Sequence, residues 1–232
     1  MTTAIILAGG LGTRLREEVP DVPKPMAPIN GRPFLEYLMD YWIGQGIERF
    51  ILSIGYKSQI ISEHFGGCYK SSAVSYAIEE SPLGTGGGLL LALEQVTSKK
   101  VLLLNGDTFF AVPFLTLEQF YHDTSADCAF SLFEAQQAGR FMGIDVNAKG
   151  KILSLSSNDQ KIGRLANGGV YLINPEKIKK LNLESGIKIS LEDDVFACMM
   201  RASSNLFGVA FQNRFIDIGV PTDYRRSFEI IS

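Results

Sequence analysis

The chain has 232 residues, of which 46% are hydrophobic, and its formal net charge is −3. This length and content allow one sizeable core, so we expect a single domain over residues 1–232. The lysines and arginines are dispersed and the net charge is small, which argues against nucleic acid or an anionic membrane as a partner. Three widely separated cysteines and two histidines argue against a disulfide framework and a histidine-rich metal site.

The N-terminus predicts a buried strand rather than a targeting segment. Glycines follow Ile5, Ile6 and Leu7 almost at once, and no basic region precedes them. No apolar run reaches the roughly 18 residues of a membrane span. We therefore expect a cytoplasmic protein.

The first 110 residues predict strands that alternate with helices. Strands are predicted at 3–8, 49–54, 73–78 and 101–104. Helices are predicted at 34–45, 57–65 and 88–96. This alternation favours an α/β fold with a parallel sheet that is covered on both faces.

The second half predicts a mixed pattern. Strands are predicted at 128–134, 142–146, 151–155, 169–173 and 215–218. The turn at 147–150 joins two of them in a hairpin. Helices are predicted to start at Asn174-Pro175, to span 190–200 with Ser190 as N-cap, and to span 221–231.

Three unusual polar segments follow predicted strands of the first half. They lie at 9–14, 79–88 and 105–107. Ligands of an open parallel sheet bind outside the carboxyl ends of its strands. We therefore expect the three segments to form one site.

The segment 9–14 has the composition of a phosphate-binding loop, although its spacing fits neither the dinucleotide fingerprint nor the P-loop. The backbone N–H groups of such a loop can bind phosphate oxygens, and Arg14 adds a bidentate cation. Lys24, held between two prolines, adds a second positive charge. A plain strand-to-helix turn is the alternative, but three glycines in four positions exceed its needs.

Two aspartates are candidate metal ligands. Asp107 follows Gly106 directly after a predicted buried strand, and Asp217 lies among apolar residues. Mg²⁺ that is bound to phosphates uses one or two protein carboxylates. For Asp217, a buried turn acid is the alternative interpretation.

Six motifs in the same order resemble those of the sugar-1-phosphate nucleotidylyltransferases. They lie at 7–15, 23–25, 84–88, 106–107, 167–171 and 215–224. The resemblance covers essentially the whole chain. It implies a Rossmann-like, GT-A-like nucleotidyltransferase fold with a mixed, mainly parallel sheet. It also implies a reaction of a nucleoside triphosphate with a sugar 1-phosphate, with Mg²⁺ as cofactor.

The resemblance assigns about 1–110 to nucleotide binding and about 111–232 to sugar binding. The residues that the resemblance implies for nucleotide binding are Leu7, Ala8, Gly9, Gly10, Gly12, Thr13, Arg14, Lys24, Glu79, Gly84, Thr85, Asn105 and Asp107. Within this set, Arg14, Lys24 and Asp107 would be catalytic, and Asp107 would share Mg²⁺ with Asp217. On the sugar side it implies Gly143, Asn167, Gly169 and Glu192. A homodimer is an expectation that rests on the resemblance alone.

One departure from the family concerns the sugar. Many relatives have Glu-Lys-Pro where this chain has Ser-Ser-Asn-Asp-Gln-Lys at 156–161. Lys161 and Arg164 are the candidates to replace the missing lysine. The departure leaves the identity of the sugar open, but not the type of reaction.

Glu79 suggests the nucleotide, because relatives that use uridine or thymidine have glutamine at this position. A carboxylate only accepts hydrogen bonds, and guanine offers N1–H and its amino group side by side. We therefore hypothesise GTP; the alternative is that Glu80 or the backbone reads the base. The short chain and the segment 80–88 most resemble guanylyltransferases of D-glycero-α-D-manno-heptose 1-phosphate. Mannose 1-phosphate is the neighbouring alternative.

Three other classes of protein are alternatives to this interpretation. A cytidylyltransferase or uridylyltransferase of another sugar or non-sugar phosphate shares the first motif. A retaining glycosyltransferase usually has Asp-x-Asp, whereas this chain has Asn105-Gly106-Asp107. A non-catalytic homologue tends to lose the charged residues, but Arg14, Lys24, Asp107 and Asp217 are all present.

Overall fold

The computed structural model describes residues 2–135, 141–156 and 164–231, except for the side chain of residue 156. The helices are α1 (Phe34–Gly44), α2 (Ser58–Phe65), α3 (Gly84–Leu93), α4 (Phe114–Asp123), α5 (Pro175–Lys179), α6 (Ala197–Arg201) and α7 (Pro221–Ile230). The strands are β1 (Thr3–Leu7), β2 (Pro28–Ile29), β3 (Arg32–Pro33), β4 (Arg49–Ile54), β5 (Cys68–Tyr69), β6 (Ser72–Ile78), β7 (Val101–Asn105), β8 (Thr108–Phe110), β9 (Cys128–Glu134), β10 (Gly143–Val146), β11 (Ile152–Ser156), β12 (Leu165–Ile173), β13 (Leu206–Ala210) and β14 (Phe215–Asp217).

One mixed sheet runs through both halves of the described chain. Its order is β11-β10-β12-β7-β1-β4-β6-β5, and β9 lies between β12 and β13. The strands β1, β4, β6, β7, β9, β10 and β13 point one way, and β5, β11 and β12 point the other way. The antiparallel pairing of β7 with β12 joins the two halves. The predicted mixed, mainly parallel sheet is confirmed.

Alternation along the buried strands places a hydrophobic cluster on each face of the sheet. On one face, Ala4 and Ile6 of β1 pack in the cluster that includes Trp42 of α1. On the other face, Ile5 packs in the cluster that includes Leu89 of α3. All five side chains are fully buried. Both faces of a parallel sheet must be covered, which is why its strands have nearly continuous apolar sequences.

Most predicted elements are observed, with some differences. The helix predicted at 88–96 is α3, which begins four residues earlier at Gly84, so the glycine-rich run is part of the helix. The predicted helix at 190–200 is a π-helix (Leu191–Phe196) followed by α6, and Ser190 caps it through the N–H of Asp193. The sequence did not predict the short strands β2, β3, β5 and β8, the helix α4 or the strand β13.

The remaining expectations of the sequence concern cysteines, histidines and membrane spans. Cys68, Cys128 and Cys198 are free thiols. His64 and His122 lie in the last turns of α2 and α4, as expected for ordinary helix-end residues. Within the described residues, no helix has the length and apolar character needed to cross a bilayer.

Candidate active site

A cavity of about 390 Å³ lies at the carboxyl ends of β1, β6 and β7. It brings together the three polar segments that follow these strands, as the sequence predicted. Its lining residues are Leu7, Ala8, Gly9, Gly10, Leu11, Gly12, Thr13, Lys24, Pro25, Glu79, Pro82, Gly84, Thr85, Asn105, Gly106, Asp107 and Lys188. Backbone groups of the first segment and charged side chains of the others therefore face the same space.

The loop after β1 forms one wall of the cavity. Gly12 has φ +59°, and a Cβ at this position would lie 2.9 Å from Cβ of Lys24. Glycine is therefore required here both for the backbone conformation and for the approach of Lys24. Residues 13–18 form turns, so no helix follows the loop. The side chain of Arg14 is exposed and does not line the cavity.

Lys24 lies at the floor of the cavity, where it forms an ion pair with Asp107. Lys24 lies between Pro23 and Pro25 and is the first residue of a short 3₁₀ helix (Lys24–Met26). Its side chain is only 11% exposed. Burial alone would raise the pKa of Asp107. The charge and hydrogen bond of Lys24 outweigh burial and hold this pKa below its usual range. The carboxylate is therefore poised in its anionic form beside a cation.

Asp217 is brought next to this pair by the ladder of β8 and β14. Asp217 lies opposite Thr108 in that ladder, and the N–H of Ile218 donates to the carbonyl of Asp107 (3.0 Å). The N–H of Gly219 donates to Oδ1 of Asp217 (2.6 Å). A Cβ at Gly219 would lie 2.7 Å from this oxygen and 3.0 Å from Nζ of Lys24. The ammonium group thus stands beside both candidate metal ligands.

Glu79 follows β6 and lines the cavity, where its carboxylate packs against Gly9 of the loop after β1. Its Oε1 accepts a hydrogen bond from the hydroxyl of Ser53 (3.2 Å). Its Oε2 accepts one from the backbone N–H of Leu83 (3.0 Å). The neighbouring Glu80 is exposed and does not line the cavity. Of the two glutamates, the structure therefore places Glu79 where a bound base could meet it.

Two of the predicted sugar-binding residues, Asn167 and Gly169, lie beside the nucleotide-side residue Asn105. The side-chain amide of Asn167 donates to the hydroxyl of Tyr171 (2.6 Å) and its oxygen accepts from the N–H of Gly169 (3.1 Å). A Cβ at Gly169 would lie 2.9 Å from Nδ2 of Asn105, which lines the cavity. Asn167, Gly169 and Asn105 therefore form one continuous group.

Glu192 approaches the same region from the π-helix. The hydroxyl of Thr85 lies 3.4 Å from its Oε2, and the same hydroxyl accepts from the N–H of Leu191 (2.9 Å). Burial raises the pKa of Glu192. Burial, with a further contribution from Glu192, also raises the pKa of Tyr171. These shifts indicate a partly desolvated acid between the predicted nucleotide and sugar sides.

Gly143 and Arg164 lie further along the sheet. Gly143 pairs with Ala166 of β12, and a Cβ there would lie 2.8 Å from Nε of Arg164. A terminal nitrogen of Arg164 forms an ion pair with Asp145 (2.8 Å), and only 12% of its side chain is exposed. Arg164 therefore packs against β10. The other candidate replacement, Lys161, lies outside the described residues.

The sequence reasoning missed Lys188, which lines the cavity beside Gly84. The backbone carbonyl of the next residue, Ile189, accepts hydrogen bonds from the N–H groups of Gly86 (2.9 Å) and Gly87 (3.3 Å) at the start of α3. The run of glycines in α3 thus allows the segment before the π-helix to pack on the helix. No local motif marks Lys188, because its position depends on this long-range contact.

The site combines a glycine-rich loop, a buried lysine and two aspartates at the carboxyl edge of an α/β sheet. These features are typical of an enzyme that binds nucleoside phosphates. Comparison with known proteins gives the family. Residues 3–232 match the model of the nucleotidyl transferase family, and the chain belongs to this family.

Several similar proteins have been characterised. The chain is 37% identical over 224 residues to a D-glycero-alpha-D-manno-heptose 1-phosphate guanylyltransferase of Aneurinibacillus thermoaerophilus, covering 97% of this chain and 96% of that protein. A crystal structure of HddC from Yersinia pseudotuberculosis is 32% identical, covers both chains completely and superposes with a TM-score of 0.87. A second structure of that protein is a complex with GMP-PN.

A mannose-1-phosphate guanylyltransferase of Mycobacterium tuberculosis is also similar. It is 28% identical over 226 residues, which make up 96% of this chain. The match covers only 62% of that longer protein.

Proposed function

We propose that this chain transfers a guanylyl group from GTP to D-glycero-α-D-manno-heptose 1-phosphate and releases pyrophosphate. The observation that carries the proposal is the 37% identity to a heptose 1-phosphate guanylyltransferase over nearly the full length of both chains. The mannose-1-phosphate relative is less similar, at 28%, and has additional sequence that this chain does not match. The heptose phosphate is therefore favoured over mannose 1-phosphate.

The charges of the cavity support a nucleoside triphosphate as one substrate. The N–H groups of the loop after β1 would bind phosphate oxygens, and Lys24 would neutralise the α-phosphate. Glu79 supports guanine, because a carboxylate matches the adjacent N1–H and amino donors of that base. Uracil and thymine present one donor between two acceptors, which the carboxylate would repel. The cavity and Glu79 together favour GTP.

The second substrate would lie on the side of the cavity lined by Asn105 and Thr85, behind which Asn167, Gly169 and Glu192 lie. The amide and carboxyl groups there suit sugar hydroxyls, which both donate and accept hydrogen bonds. Gly143 lies one strand away and would contribute through its backbone. The segment that stands in place of Glu-Lys-Pro is 156–161, and its residues 157–161 lie outside the described residues, so the replacement of the missing lysine stays a prediction.

The residues also fit a magnesium ion as cofactor. Asp107, which precedes β8, and Asp217, at the end of the paired strand β14, would supply hard oxygen ligands, and the ammonium of Lys24 lies close to both of them. No group of three or more histidine, cysteine or acidic side chains suited to a metal occurs within the described ranges. Two carboxylates leave coordination positions for phosphate oxygens and water. When bound, the ion would offset the charge that develops on the phosphates.

The protein residues would act by positioning and by charge. A sugar phosphate is already an anionic nucleophile at neutral pH, so the site needs no general base. Lys24 would draw charge from the α-phosphate while the loop amides hold the departing pyrophosphate in line. Arg14 would join them from its exposed position once the nucleotide is bound. A cytoplasmic location and a homodimer remain predictions.

The first test is pyrophosphate release with Mg²⁺, four nucleoside triphosphates and a panel of sugar 1-phosphates that includes the manno-heptose and mannose. Turnover of GTP with the heptose phosphate at the highest kcat/KM is the expected result. Preference for mannose 1-phosphate would mean that mannose 1-phosphate, and not the heptose phosphate, is the sugar substrate. Preference for CTP, UTP or dTTP would remove the argument from Glu79, and no turnover with any pair would contradict the proposed function.

A further inference from the structure

Ser53 connects two segments that line the nucleotide cavity, although it does not line the cavity itself. It lies near the end of β4 and its side chain is completely buried. Its backbone carbonyl accepts the N–H of Ala8 (2.7 Å), which begins the glycine-rich loop. Its hydroxyl donates to Oε1 of Glu79 (3.2 Å), in the segment that follows β6. One buried residue therefore holds both segments that face a bound nucleotide.

The surroundings leave the carboxylate of Glu79 little freedom. A Cβ at Gly9 would overlap Oε1 of Glu79. A Cβ at Gly88 would lie 2.9 Å from this oxygen and 2.6 Å from Oγ of Ser53. The contact between Ser53 and Glu79 thus fits in a gap between two glycines, where side chains would displace it.

The hydrogen bonds of Glu79 leave acceptor positions for a base. An ionised carboxylate has about four lone-pair sites, two on each oxygen. Ser53 uses one site on Oε1, and the N–H of Leu83 uses one on Oε2 (3.0 Å). One site remains on each oxygen, and this pair matches the two adjacent donors of guanine.

We propose that Ser53 is a positioning residue for base selection, which holds the Glu79 carboxylate in the orientation that accepts from guanine. The inference rests on the proposed use of GTP. Without the Ser53 hydroxyl, the N–H of Leu83 would be the remaining hydrogen-bond donor to the carboxylate, and Oε1 would turn out of the orientation that accepts from guanine. Ser53 would therefore affect the choice of base rather than the chemical step.

The test compares kcat/KM for GTP and ITP, since inosine lacks the amino group of guanine. Ser53→Ala should lower the GTP:ITP ratio about fivefold, which corresponds to one hydrogen bond of about 1 kcal/mol. Glu79→Gln should lower the ratio at least tenfold, because the amide replaces an acceptor by a donor. Ser72→Ala is the matched control: Ser72 is 1% exposed and donates to the carbonyl of Ile47 (3.0 Å), away from the cavity. Its ratio should stay within twofold of wild type.

A double-mutant cycle decides whether Ser53 acts through Glu79. The Ser53→Ala/Glu79→Gln enzyme should have the same ratio as Glu79→Gln alone. A Ser53→Ala enzyme with the wild-type ratio, or with a loss that adds to that of Glu79→Gln, would overturn the inference while the proposed function stands. If wild type did not turn over GTP, the proposed use of GTP would be wrong. If Glu79→Gln left the GTP:ITP ratio unchanged, Glu79 would not read the base. Either result would also remove the proposed role of Ser53. Thermal melts of all variants separate these ratios from effects on stability.

Discussion

The ammonium group of Lys24 forms an ion pair with Asp107 and lies beside Gly219, whose N–H donates to Asp217. This cation therefore lies close to the two carboxylates that would hold Mg²⁺. Phosphates bring several negative charges, so in the complex Lys24 would turn towards the α-phosphate and leave the aspartates to the metal. Binding of metal and binding of nucleotide would then reinforce each other.

Lys24→Met should strengthen metal binding and weaken catalysis. Without the ammonium, the aspartates should bind Mn²⁺ at least tenfold more tightly in the absence of nucleotide, because a unit charge a few Å away is worth a few kcal/mol near a protein surface. Turnover should fall about a hundredfold or more, since the α-phosphate loses its cation. Titration followed by electron paramagnetic resonance measures the first effect. Lys149→Met removes the same charge from an exposed turn and should change neither; unchanged Mn²⁺ affinity in Lys24→Met would disprove the competition.

Asp107→Asn should remove most of the activity without unfolding the protein. The amide keeps the shape of the side chain but loses the charge that would hold the metal, so kcat should fall about a thousandfold. Steady-state pyrophosphate release and thermal melting measure the two properties. Asp123→Asn is the control, because Asp123 lies at the exposed end of α4 and accepts from Gln119 (2.7 Å). Near-normal rates with Mg²⁺ in the Asp107 variant would refute the metal assignment.

The sequence predicted the edge of the sheet at which the site forms, for a physical reason. Apolar runs such as Ile5–Leu7 end in glycine or polar residues, and parallel strands bring their carboxyl ends to one edge. The contacts inside the site were not predictable in the same way. The ion pair of Lys24 joins residues 83 positions apart, and Ser53 reaches Glu79 across neighbouring strands. Such contacts depend on strand register, which local patterns do not determine.

Short elements were also missed, because their signals are local and weak. The strand β8 has only three residues, so alternation has little room to show, whereas its partner β14 was predicted within 215–218. Yet their pairing places Asp217 next to Asp107. The start of α3 was misplaced because its glycines have low helix propensity, which packing against Ile189 overrides.

Arg14→Ala tests whether an exposed arginine takes part in the chemical step. If Arg14 folds over the bound triphosphate, kcat should fall about a hundredfold with a small change in KM, because negative charge develops on the leaving pyrophosphate. Arg16→Ala is the control, since Arg16 is also exposed and lies 5.0 Å from the ring centre of Tyr56. A change in KM alone would mean that Arg14 binds the substrate and the transition state equally well and does not take part in the chemical step. Unchanged kinetics would exclude it from the site.

Glu192→Gln should make the protein more stable at neutral pH but not in acid. Burial raises the pKa of Glu192, and Asp193 and Asp107 raise it further, against the opposing hydrogen bond of Thr85. The folded state therefore binds this proton more tightly than the unfolded state, so stability falls as the pH rises from the unfolded pKa through the folded one. Above that window, wild type bears the full cost of a buried charge that the neutral amide avoids.

The measurement is Tm by scanning calorimetry at pH 4.5 and 7.5. Glu192→Gln should have the higher Tm at pH 7.5, and the difference should shrink at pH 4.5, because the raised pKa favours the protonated, uncharged carboxyl in the folded wild type. Glu184→Gln changes the same charge on an exposed side chain and should show no such pH dependence. A lower Tm of Glu192→Gln at pH 7.5 would mean that the carboxylate is stabilised in place, and that its role towards a sugar hydroxyl is that of a permanent anion. An equal Tm at both pH values would mean that burial does not perturb Glu192.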